Sequence, residues 1–557
     1  MVPKQNTKAI ARRRPLMAFS PWSALAIGIS VLALLPIFFV VILALSPDSN
    51  IWPHLIGTVL PRYFGNTLIL MVGVGGLSAL MGTGTAWIVT MYHFPGQRLL
   101  GTALLFPMAI PAYIGAYALV DFLDYSGPLQ LALRASMGWS SARDYWFPET
   151  RSIWFAIVVL SSAFYPYVYL LVRNALREQS GGLYEVARAL GAGPWGMFWR
   201  VGLPLSRPAL AAGLALVLME TVADFGTVHY FGVQTLTTGV FTTWLDGADA
   251  GGAAQIALVL LAMIFVLLLA ERRGRRNARF YRPSRADRPV ERQVLTGTRA
   301  TIAAVLCALP VILGFVVPVA VMTLLALKNP QVWLDPGLFK ALGNTVFVAG
   351  IAAFVTVIAA FLAAHGLRKL QRRIAQLLVP MTMLGYATPG AVLAVGVLIP
   401  LAAFDHFLAD TILALTGIEP GLLLTGTAFA LILAFAMRFF GIAQSAMDAA
   451  FGRVPPSLAL AARSLGRTEG QMIGAIQIPL IRGSIFTTLL VVFVECVKEL
   501  PATLLLRPFN FSTLSTRTYE LASLERLSEA APAALVVIFV GLSAVLLIDR
   551  ASRQKQR

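Results

Sequence analysis

Apolar runs long enough to cross a lipid bilayer recur along the whole chain, separated by short polar stretches in which Arg, Gly and Pro collect. A helix rises about 1.5 Å per residue, so roughly 20 apolar residues are needed to cross a hydrocarbon core of about 30 Å. The pattern predicts twelve such spans, near residues 22–45, 66–91, 99–122, 152–172, 209–229, 253–270, 301–327, 343–364, 375–402, 422–443, 484–505 and 532–548. Six lie on either side of a basic stretch at 271–299. The expected fold is therefore an all-α polytopic membrane protein of about twelve transmembrane helices.

The two sets of six are related. FGNTLIL around Asn66 returns as LGNTVFV around Asn344, and Pro107 and Pro380 both sit early in the third span of their set. The longest match pairs EVARALGAGPWGMFWRVGLPLSRPAL, from Glu185 to Leu210, with LAARSLGRTEGQMIGAIQIPLIRGSI, from Leu460 to Ile485; its glycines Gly191 and Gly466 lie 275 positions apart. An even number of spans returns each set to the side on which it began, so two copies of like orientation join without an extra helix. We read two tandem six-helix halves, 1–273 and 300–557, around a basic linker at 274–299, with a pseudo-twofold axis along the membrane normal and a path between the halves. The Arg and Pro content of the linker suits a segment with little structure of its own or one that contacts anionic lipid headgroups.

Composition agrees with this reading and charge orients it. The 557 residues are 58% hydrophobic and only 13% charged, with a mean hydropathy of +0.76, which leaves too little polar surface for a soluble globule. A net charge of +18 raises the question of nucleic acid. With the N-terminus in the cytoplasm, however, about three quarters of the 44 Lys and Arg fall on the cytoplasmic side, the asymmetry of an inner-membrane protein with both termini inside. The basicity is topological, and no nucleic-acid partner is expected. Lys4, Lys8, Arg12, Arg13 and Arg14 precede a first apolar run too long for a signal peptide, which is read as an uncleaved helix. Cys307 and Cys496 both fall in spans, and the five His are scattered, so neither a disulfide framework nor a metal-ligand spacing is indicated.

Polar and helix-breaking residues inside the spans need a reason. Pro107, Pro111, Pro166, Pro380, Pro389 and Pro400 each remove a backbone donor, as packing kinks or as the lining of a pore. Gly73, Gly75, Gly76, Gly82 and Gly84 in the second span predict close helix packing. Glu220 and Asp224 lie four apart in the fifth span, and Glu495 and Glu499 four apart in the eleventh, on the same 275-residue offset. A carboxylate in a span costs about 2.5–3.5 kcal/mol on insertion scales. Four-residue spacing puts each pair on one helix face, and duplication turns both faces toward the shared axis. The result is a candidate path lined by four carboxylates, fit for a hard cation in transit. The alternatives are pairing of Glu495 or Glu499 with Lys498, or acids that cap broken helix ends.

The long match predicts a helix-turn-helix on the cytoplasmic face: a short helix with small residues, a glycine whose positive φ ends it, and a second segment running to a proline that opens the next span. In this it resembles the permease subunits of bacterial ABC importers, whose cytoplasmic EAA loop carries E-A-A, three residues, G, nine residues and I-x-L-P. The first copy, near 178–208, matches at Glu185, Val186, Ala187, Gly191, Val201, Leu203 and Pro204; the second, near 453–483, at Leu460, Ala461, Ala462, Gly466, Ile476, Ile478 and Pro479. Leu460 stands where the acidic residue is usual. The resemblance implies that each loop seats in one of two copies of an ATP-binding subunit. No G-x-x-x-x-G-K-[ST] cradle occurs in this chain, so ATP and Mg belong on that partner, and the chain itself is expected to be no enzyme and to hold no cofactor.

The segments Glu220–Trp244 and Glu495–Ser523 look like those of the fused permeases of ferric iron importers, where a periplasmic binding protein delivers Fe(III). That likeness implies transient Fe(III) at the four acids and no stably bound metal. Thiamine importers share the fused layout, polyamine and phosphonate importers have related permeases with separate halves, and an ion-gradient transporter is the rival from another class.

Overall fold

Residues 20–45, 52–276 and 291–554 are described by the computed structural model; Lys4, Lys8, Arg12, Arg13 and Arg14 and most of the linker lie outside them. Among the described residues eleven helices are long and apolar enough to cross a membrane, and a bent pair supplies a twelfth. The first half holds Pro21–Leu45, Leu60–Met91, the bent pair Gln97–Ala109 and Ala112–Met137, Ile153–Arg177, Pro194–Ala223 and Ala250–Glu271. The second holds Thr298–Lys328, Pro336–Leu367, Gly390–Thr416, Ala428–Gly452, Glu469–Lys498 and Leu527–Leu547, with the shorter Ile374–Ala387 ahead of its third member.

Four predicted spans differ in course or extent. The third span does not run straight over 99–122 but bends by 100°. Ile110 is extended, and Pro111 caps the helix Ala112–Leu123. The predicted ninth span, 375–402, straddles the same device: Thr388 is extended and Pro389 caps Gly390–Thr416. Proline has no N–H and pushes the residue before it out of the helical region, so a break is the low-energy outcome at both places. Pro166, Pro380 and Pro400 stay inside their helices. The fifth and eleventh spans begin earlier than predicted, at Pro194 and Glu469, and end earlier, at Ala223 and Lys498.

The glycine-rich second span packs as expected at three of its five glycines. A Cβ at Gly73 would strike Ile157, at Gly75 Leu218, and at Gly82 the backbone of Tyr165 and Tyr169. Gly76 and Gly84 face open space, so close packing does not explain them.

The first span of each half packs partly into the core of the other. Pro21–Leu45 packs against Pro336–Leu367 and Gly390–Thr416, and its Ala33 belongs to the core of the second half. Reciprocally, Ala300, Ala303, Cys307 and Val311 of Thr298–Lys328 belong to the core of the first. A third core joins Val40 and Ala44 to Ala253, Ile256 and Leu260 of the sixth span and to Ala387 and Val392 at the ninth-span break. Cys307 and Cys496 are both buried and free. The described end of the linker is not structureless: Gln293–Val294 pairs in parallel with Tyr92–His93, just past the second span.

Candidate functional site

The two EAA loops fold alike. Gly181–Ala189 and Pro456–Ser464 are short helices. They end at Gly191 with φ +81° and Gly466 with φ +72°, where an L side chain is strained. The amide of Ala192 donates to the carbonyl of Ala187 at 2.9 Å, and that of Arg467 to Ala462 at 3.1 Å, so the motif alanines accept the bond that closes each turn. Glu185 is exposed, as are Leu460, Leu190 and Leu465. Beneath the first loop Tyr184 is buried, its phenol held above its ordinary range by desolvation, and it donates to Gln179.

Beyond each turn the chain does not form the expected separate segment. Pro194–Met197, a π turn at Phe198–Gly202 and Leu203–Ala223 run on as one helix; Glu469–Met472, a π turn at Ile473–Gln477 and Ile478–Lys498 do the same. Pro204 and Pro479 lie in the first turn after each π turn. A wide turn eases the clash between a proline ring and the carbonyl four residues back, so the helix passes the proline unbroken. The second limb of each loop is thus the start of the helix that leads to its pair of acids, some 30 residues or about 45 Å away.

At the other end both helices stop on an acid. Asp224 is the C-cap of Leu203–Ala223 and Glu499 that of Ile478–Lys498, both with extended backbone. The expected straight helix face is therefore corrected. The Asp224 carboxylate accepts from the amides of Thr227 at 3.0 Å and Val228 at 3.1 Å, starting the short helix Gly226–Tyr230, and Glu499 accepts from the amide of Ala502 at 3.1 Å. A carboxylate that can satisfy otherwise free amides competes with helix continuation. The segments beyond are tied back symmetrically: the Asn66 amide donates to the Gln234 carbonyl at 2.8 Å, and Asn344 to Ser512 at 3.0 Å.

All four acids line one cavity of about 110 Å³ at the seam between the halves. Each has a named partner. Tyr386 donates to Glu220 at 2.8 Å, Lys498 reaches Glu495 at 2.8 Å, Arg438 lies 3.2 Å from Glu499, and Asp224 is held by Thr227 and Val228. Gly390, at the ninth-span break, leaves the room that the Arg438–Glu499 pair fills. Phe164 and Phe439 face the cavity from equivalent positions, but its other polar lining is unequal: the first half gives Tyr113 and Tyr167, the second Tyr386, Arg438 and Lys498. Sequence reasoning missed Arg438, Tyr113, Tyr167 and Tyr386. A lone Arg in an apolar run was the available signal for Arg438; the phenols carry none. Among the described residues no three His, Cys, Asp or Glu side chains converge to hold a metal ion.

Residues 76–277 and 355–555 match the family described as the binding-protein-dependent transport system inner membrane component. The two matches, one per half, cover most of the chain, and the chain belongs to this family: it is a multi-pass inner-membrane permease of an ABC importer. It is 25% identical over 496 residues to the Fe(3+)-transport system permease protein FbpB 2 of Haemophilus influenzae, covering 86% of this chain and 88% of that one. It is 24% identical over 465 residues to the ferric transport system permease protein FbpB of Actinobacillus pleuropneumoniae, covering 79% and 64%. The sulfate transport system permease protein CysT of Escherichia coli is 28% identical over 285 residues, which is 48% of this chain and 98% of that protein. A permease of half the length thus aligns with about half of this fused one.

Proposed function

We propose that this permease imports ferric iron received from a periplasmic binding protein, through a path that runs by Glu220, Asp224, Glu495 and Glu499. The observation that carries the reading is the four-acid cavity at the seam of the halves, in a chain similar over most of its length to a permease named for Fe(3+). Carboxylates from both halves give a hard cation oxygen partners without a fixed chelating set, which suits passage rather than retention.

The drive comes from two copies of an ATP-binding subunit on the cytoplasmic face, where both chain termini lie. Each seats against one coupling helix, through Glu185, Ala187 and Gly191 in the first and Ala461, Ala462 and Gly466 in the second. Leu203–Pro204 and Ile478–Pro479 carry the movement through the π turns into the acid-bearing helices. The two contacts are alike in shape and unequal in chemistry, since Glu185 is charged and Leu460 apolar.

The test is uptake by vesicles holding this chain, its ATP-binding subunit and its binding protein, comparing Fe(III) with thiamine, polyamines and sulfate. ATP-dependent uptake of Fe(III) alone is expected. Thiamine or a polyamine in its place would keep the cation path and change the cargo. Full transport by this chain without ATP would refute the importer drive.

A further inference from the structure

The two cations of the cavity do different work. Arg438, on Ala428–Gly452, reaches the end of a different span to meet Glu499, and both side chains are more than nine-tenths buried. That pair ties two elements together. Lys498 meets Glu495 three residues back on its own helix, with 16% and 26% of the two side chains exposed, and both line the cavity. It links no two elements, and the helix keeps its backbone bonds without it. Nor does the duplication require it: the first-half counterpart, 275 positions earlier, is Ala223, which also lines the cavity.

We propose that Lys498 is a resident counter-cation, holding Glu495 while the path is empty and giving way when positively charged cargo arrives. This rests on reading the cavity as a cation path. An unpaired carboxylate within a span is unfavourable, so an empty path lined by acids needs compensation. A tethered ammonium supplies it at high local concentration, and a compact charge on a flexible stem withdraws more readily than a forked guanidinium. Lys498 thereby competes with the cargo, keeps the site from holding it too tightly and restores it after each passage.

Terbium(III), a hard trivalent cation, serves as the probe, because its emission is excited through nearby tyrosines and Tyr113, Tyr167 and Tyr386 line this cavity. The assembled importer in nanodiscs of zwitterionic lipid is titrated with it. Lys498→Met is expected to tighten binding about two- to fivefold, the range for a partly exposed ion pair, and to slow ATP-driven Fe(III) uptake. Lys498→Arg, which keeps the charge but withdraws less readily, should not tighten binding. Glu495→Gln should weaken binding by stranding the ammonium, and adding Lys498→Met should restore it. Unchanged or weaker binding in Lys498→Met overturns the proposal. So does a double variant no tighter than Glu495→Gln; carrying neither charge, it decides the matter if Lys498→Met does not reach the membrane. Absence of tyrosine-excited emission from the unaltered importer overturns it too. Fe(III) uptake indifferent to all four acids would overturn the path reading itself, whereas uptake that needs the acids but ignores Lys498 removes only the counter-cation.

Discussion

Single residues set both ends of this machine, and each does so through one physical constraint. At Gly191 and Gly466 the constraint is backbone alone: a Cβ at either would meet nothing within 4 Å, while φ is positive at both. Val at both costs roughly 1–2 kcal/mol each in the turn and changes the surface offered to a partner. ATP-driven uptake should be lost with the protein still in the membrane at normal abundance; normal uptake by the double variant would separate the turns from coupling. At Gly390 the constraint is volume, since a methyl group would occupy the space between Arg438 and Glu499. Gly390→Ala should destabilise the fold by about 3 kcal/mol if the buried pair is forced apart, read as a lower melting temperature of the purified protein. An unchanged melting temperature would show that the pair can shift. The acids were legible in the sequence because a carboxylate in an apolar run is conspicuous and these four repeat at one offset. Arg438 repeats nowhere, since Ala163 occupies the equivalent place, so the duplication that exposed the acids concealed it.

At the scale of elements, hydropathy located every span but misplaced the ends of those that matter most. Hydropathy averages over a window and does not register a proline that forces an extended residue at Ile110 or Thr388. Nor does it register an acid that caps the next helix, as Asp224 and Glu499 do. The π turns at Phe198–Gly202 and Ile473–Gln477 were equally hidden, although Pro204 and Pro479 marked their position. Because one helix runs from the second limb of each loop to its pair of acids, their relative rotation matters. One residue inserted between Leu205 and Ser206 turns everything beyond it by about 100°, which carries Glu220 off the cavity. Uptake should fall severely while the ATP-binding subunit still co-purifies. Uptake that survives would mean the helix does not act as a rigid lever.

At the scale of the whole molecule, the exchange of first spans makes the halves interdependent. The two-half layout was plain from internal repetition, but the exchange was not, because it depends on which surfaces meet across the seam. Ala33 of Pro21–Leu45 joins the core of the second half, and Ala300, Ala303, Cys307 and Val311 of Thr298–Lys328 join that of the first, while Val321, Met322, Leu325 and Ala326 stay with the second, so each core draws on both halves. Fragments divided within the linker should accumulate and co-purify when made together, and be degraded when made singly; stable accumulation of a lone half would contradict the exchange. The central claim is that cargo passes the four acids at the seam. The most direct test is ATP-driven Fe(III) uptake by reconstituted vesicles in which Glu220, Asp224, Glu495 and Glu499 are changed together to their amides. The account predicts that uptake is lost while the ATP-binding subunit and the binding protein still assemble on the permease; uptake at the unaltered rate would contradict it.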